Sequence, residues 1–126
     1  MKNLVIALFF STILIGCQSI PEQYLTQPAI KIEEPELSKY WVAKDGGISF
    51  KSPSGKLPSE NGTVFINYLI DSNGEIFNLK VVKSTPSDAW NKIALKVLKQ
   101  TVYINAETNL IKAPVIVTTK VVFDIY

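Results

Sequence analysis

The stretch "GTVFINYLIDSNGEIFNLKVVKS", residues 62–84, decides the fold. Its first nine residues place Val64, Ile66, Tyr68 and Ile70 on one side by the two-residue alternation of a strand. Thr63, Phe65, Asn67 and Leu69 fall on the other side. "DSNG", residues 71–74, is turn chemistry, because Asp opens a turn and an Asn-Gly pair accepts positive φ. A second run then sets Phe77, Leu79 and Val81 on one face. Two alternating runs around a short turn predict a β-hairpin.

Downstream, "STPSDAWNKIALKVLKQ" changes period. Thr85 with Asp88 three residues on, and Pro86 at the first helical position, predict a helix start, with Ser87 as an alternative cap. Ala89, Trp90, Ile93, Ala94, Val97 and Leu98 form one stripe; Asn91, Lys92, Lys96, Lys99 and Gln100 lie opposite. Leu95 falls off the stripe and is expected at the surface. The closing segment "APVIVTTKVVFDIY" alternates again, with Val115, Val117, Val121, Phe123 and Ile125 on one face. The expected fold is therefore α+β: a small antiparallel three-stranded sheet with one helix packed on one face, in the order β-β-α-β, over residues 58–126.

Upstream the sequence differs. Prolines recur at Pro21, Pro28, Pro35 and Pro53, so residues 17–57 are expected to form a Pro-containing tether. The aromatic pair Tyr40 and Trp41 stands out in it, and docking on the domain is the plainer expectation, ahead of contact with a partner. Residues 1–16 carry one Lys and then an apolar run too short to span a bilayer, which needs roughly 20 residues. The run ends in Leu14-Ile15-Gly16-Cys17, which resembles the lipobox of bacterial lipoproteins. The resemblance implies a signal peptide over residues 1–16, lipid on Cys17, and a mature chain that starts there. Gln18, not Asp, follows the Cys, which by the same resemblance favours the outer membrane, facing the periplasm.

Composition excludes several chemistries. The chain has 126 residues, a net charge of +2, one Cys and no His, and all its basic residues are Lys. Cys/His zinc sites and Ser-His or Cys-His nucleophilic units are ruled out. Near-neutral charge and the lack of Arg argue against nucleic acid as a partner. Of the acidic residues, Asp71 and Glu75 flank the hairpin turn, where acids serve conformation, and a hairpin tip offers no cleft. "DSNGE" lacks the later ligands of a calcium loop. The Lys80–Lys83 pair has no nucleophile–base partner, so no enzyme and no cofactor are expected.

The order of these elements resembles the C-terminal domain of TonB, which couples inner-membrane energy to outer-membrane uptake receptors. The likeness rests on Gly62, Val64, Ile66, Tyr68, Ile70, Asp71 and Gly74, then Ile76, Leu79, Val81 and Ser84. "WNKIALKVLK", Tyr103, and Val121, Phe123 and Ile125 continue it. The family's Tyr-Pro motif before the first Gly is replaced by "FKSPSGKLPSEN", and "YINA" lacks its Pro. The resemblance implies that the closing strand pairs with an extended segment of an envelope partner, such as an outer-membrane receptor. Main-chain groups of Val115 to Phe123, with Val117 and Val121 among them, would carry the pairing, and Thr118, Thr119 and Lys120 would shape selectivity. A lipid anchor cannot transmit work from a motor in the other membrane, so energy transduction by this chain is not expected. Two alternatives stand beside this reading: a homodimer through the same edge, and an assembly lipoprotein that clamps other envelope machinery.

Overall fold

The structure, a computed structural model, describes residues 22–44 and 57–125. The expected signal peptide and Cys17 lie outside the described residues.

The hairpin forms as the alternation dictates. Strand β3, Gly62–Ile70, runs antiparallel to β4, Ile76–Thr85, around a turn in which Gly74 has φ +80°. The first-face residues Val64, Ile66, Tyr68 and Ile70 are essentially inaccessible to solvent. On β3's other side, β6, Val115–Phe123, pairs antiparallel along its full length, from Gly62 opposite Phe123 to Ile70 opposite Val115. The helix α1, Asn91–Lys99, packs Ala94, Val97 and Leu98 inward on the same side of the sheet as that first face.

The sheet has four strands, in the order β1-β6-β3-β4, where three were expected. The additional strand, β1, is Ile30–Lys31, and it lies parallel to β6. A 3-10 helix of two turns, Glu34–Lys39, follows it. Then β2, Trp41–Ala43, pairs antiparallel with β5, Tyr103–Asn105, in a separate two-stranded sheet. Residues 30–43, expected to belong to a tether, are thus built onto the domain. The prolines there do not oppose this, because Pro28 and Pro35 sit just outside the two-residue strand, where no ladder amide is needed. Trp41 is buried and donates its indole N–H to the Ala113 carbonyl at 2.9 Å, joining one core with Val64, Trp90, Leu98 and Phe123.

Three further expectations change. The helix begins at Asn91, not at Pro86, because β4 stays paired through Thr85, opposite Thr63. Leu95 is half-buried against the core and not at the surface. Phe77 does not share a face with Leu79 and Val81. Asn78 takes φ +57° and the register slips there, so Phe77 stands opposite Leu69 on the outer face while Ile76 joins the core.

Gly62 has a packing reason for its lack of a side chain. A Cβ there would run into the Trp90 indole. That ring stacks on Phe123 at 4.3 Å between centroids and donates its N–H to the Glu60 carbonyl at 2.8 Å.

Candidate interaction surface

The closing strand was expected to present a free rim, so its neighbours decide what it can do. Alternation splits β6 into two faces. Val115, Val117, Thr119, Val121 and Phe123 point into the core and are buried. Ile116, Thr118, Lys120 and Val122 lie on the outer face, where Val122 is half exposed. Thr118 accepts a hydrogen bond from the Asn67 side-chain amide at 3.0 Å. Of the residues named as shaping selectivity, only Thr118 and Lys120 therefore present side chains outward; Thr119 does not.

The rim of β6 away from β3 is not open along its length. Ile30 donates its backbone N–H to the Pro114 carbonyl at 2.9 Å, and Ile32 donates to Ile116 at 3.0 Å. Where that short ladder ends, a side chain takes over: the Lys120 backbone N–H donates to both carboxylate oxygens of Glu34, at 3.2 and 3.3 Å. A carboxylate is a stronger acceptor than the strand carbonyl it stands in for. The expectation of an unoccupied edge over Val115–Phe123 is corrected on this point: the chain's own residues 30–34 lie on it as far as Lys120. The outer edges of the four-stranded sheet are β1 and β4.

The segment that covers the rim is fastened at both ends. At its start, the Tyr24 N–H donates to an Asp71 carboxylate oxygen at 3.1 Å, and the Ser72 N–H donates to the Tyr24 carbonyl at 2.8 Å. The Thr26 N–H donates to the Ser72 hydroxyl at 3.0 Å. At its end, Trp41 is locked in the core, and the Tyr40 carbonyl accepts from the Ala106 amide and from the Asn109 side chain, both at 2.9 Å. Between these anchors, Pro28, Lys31, Glu33, Glu34, Pro35 and Glu36 are exposed, and Ile30 and Ile32 are only half-buried.

The other residues singled out from the sequence have structural work. Asp71 is buried, and its other oxygen accepts the Asn73 and Glu75 amides at 2.9 and 3.0 Å, so it organises the turn and holds Tyr24. Glu75 is exposed. Lys80 and Lys83 sit on the outer sheet face, with the Lys83 ammonium 5.7 Å from the centre of the Phe65 ring. Two buried phenols, Tyr68 and Tyr103, share a hydrogen bond of 2.9 Å. Burial, the largest cause, pushes both above the ordinary tyrosine range.

Sequence reasoning did not find Ile30, Ile32 and Glu34. The available signal was the alternation in "AIKI", two apolar residues one apart, which is too short to separate a strand from a linker.

A family model described as "Gram-negative bacterial TonB protein C-terminal" matches residues 56–125, more than half of the chain. No curated protein and no solved structure matches it.

Proposed function

The chain belongs to the Gram-negative bacterial TonB protein C-terminal family, and from that premise we propose that it is a lipid-anchored interaction module that receives an extended segment of an envelope partner, such as an outer-membrane receptor. Domains of this family are protein-interaction modules of the periplasm. The partner's segment would add a strand to β6, through main-chain groups on the rim that Thr118, Lys120 and Val122 flank. The observation that carries this reading is the β1–β6 pairing: an extended segment already lies on that rim, in parallel register, bonded at 2.9 and 3.0 Å. The rim is therefore shaped to accept an added strand, and only two residues of ladder compete with a longer one. Lipid on Cys17 would hold the module at the outer membrane, and energy transduction would not be its own task.

A photo-crosslinking residue at position 122 in cells tests this. The expected product is an adduct with an outer-membrane protein, lost when Cys17 is replaced by Ser. Adducts with a second copy alone would favour the homodimer, and no adduct at all would remove the reading.

A further inference from the structure

We infer that residues 30–36, "IKIEEPE", are an internal stand-in for the partner's segment, and that the rim selects a parallel strand with alternating apolar residues followed by a carboxylate. The identity of the partner as an envelope protein rests on the function proposed above; the chemistry of its segment rests on the rim itself.

Three observations carry this. First, the occupant is strand-like only as far as it needs to be. Ile30 faces Val115 and Lys31 faces Ile116, Ile32 closes the ladder, and Pro35 prevents its continuation. Second, the last rim amide that the segment covers, that of Lys120, is taken by the Glu34 carboxylate and not by a backbone carbonyl. A segment that ended its apolar alternation in an acidic residue would reproduce that contact. Third, the charges match. Strand β6 carries Lys120 and no Asp or Glu, and Lys80 and Lys83 lie further off on β4, while residues 30–36 carry Glu33, Glu34 and Glu36 against the single Lys31. An acidic extended segment suits this sheet better than a neutral or basic one.

The mechanics follow from the anchors. Tyr24 and Thr26 at one end and Trp41 at the other hold the segment near the rim when its middle lifts. A tethered occupant competes at high effective concentration, so an incoming segment binds with an affinity reduced by the closed fraction.

The test uses the full-length chain and a labelled synthetic peptide of residues 29–36, "AIKIEEPE". Two variants open the rim: Ile32→Pro removes the amide donated to Ile116, and Glu34→Ala removes the carboxylate on Lys120. Glu34 is exposed, so the second variant keeps the fold even if the first does not. Fluorescence anisotropy should show each folded variant binding the peptide at least about tenfold tighter than the unaltered chain, the factor that 1.4 kcal/mol supplies. A peptide with Gln at the sixth position should lose most of that gain. Equal affinity for the unaltered chain and Glu34→Ala, or no binding to Glu34→Ala, overturns the inference. Peptide binding that responds to opening, with no envelope protein crosslinked at position 122, keeps this inference and removes the receptor reading. The reverse pattern removes this inference and keeps the receptor reading.

Discussion

Tyr68 and Tyr103 show what one pair of side chains contributes. Their phenols share one hydrogen bond of 2.9 Å inside the core, with ring centroids 6.4 Å apart, so one O–H donates and the other oxygen accepts where both side chains are buried. Burial holds both protons on above the usual pH. The sign then follows. Above about pH 10, an unfolded tyrosine releases its proton while the folded one keeps it. The folded state binds more protons, so stability falls as pH rises. The stabilisation is fully present below about pH 10 and is lost as pH rises above it, at a slope of at most about 1.4 kcal/mol per pH unit for one phenol. Urea unfolding between pH 8 and 11.5 should show that decline, and Tyr103→Phe should make it shallower relative to the unaltered chain. An unchanged slope in the variant would mean that Tyr103 does not carry the effect. The turn residues were legible in the sequence, because Asp-Ser-Asn-Gly has its conformational preference locally. Asp71's grip on Tyr24 was not, since it joins residues 47 apart in the chain.

At the scale of elements, β4 separates what alternation specifies from what it cannot. The period of two correctly put Leu79 and Val81 toward the core, yet Phe77 lies on the other face. One residue in the left-handed region, Asn78, resets the phase. Asn is among the few residues that tolerate this conformation; a β-branched residue does not. Asn78→Val should therefore cost about 1–2 kcal/mol, the strain of holding an ordinary side chain in that region. Asn78→Gly should be neutral or slightly stabilising. Chemical denaturation of both variants checks the pair, and similar stabilities for the two would mean that the bulge is not fixed by this residue. The helix stripe was readable because Ala94, Val97 and Leu98 repeat at helical spacing. Its first turn was misread because the signals at Thr85 and Pro86 compete with cross-strand pairing to Thr63, which is a non-local term. The strand β1 escaped for a similar reason: two residues carry no period, and only the waiting rim of β6 makes them a strand.

The whole molecule raises a question of cooperativity. A hairpin, one helix of nine residues and a closing strand make a small core, which by itself is marginal without a disulfide. The upstream segment enlarges it. Trp41 is 2 % exposed and belongs to the same cluster as Trp90, with Ile32, Leu37 and Tyr40 packed against that cluster. The two indoles sit on different parts of the chain, Trp41 in the segment before the hairpin and Trp90 at the start of α1. Each can therefore report on its own region once the other is removed. If the upstream segment is a structural part of one core, both regions unfold together. In Trp41→Phe, the fluorescence of Trp90 should follow the same urea midpoint as the far-ultraviolet circular dichroism of that variant. In Trp90→Phe, the fluorescence of Trp41 should likewise coincide with the dichroism. Comparing probes within one variant removes the stability change that each substitution brings. Lifting of residues 30–34 alone would leave both indoles buried, because Trp41 is held by Ala113 and not by the rim. Opening of the rim and unfolding of the core are thus separable: amide exchange at Ile116 and Lys120 should be faster than at Ile66 and Val117, while both tryptophans report a single transition. A Trp41 signal that melts well before the dichroism would show instead that the segment is an appendage, and the rim would then be covered only part of the time.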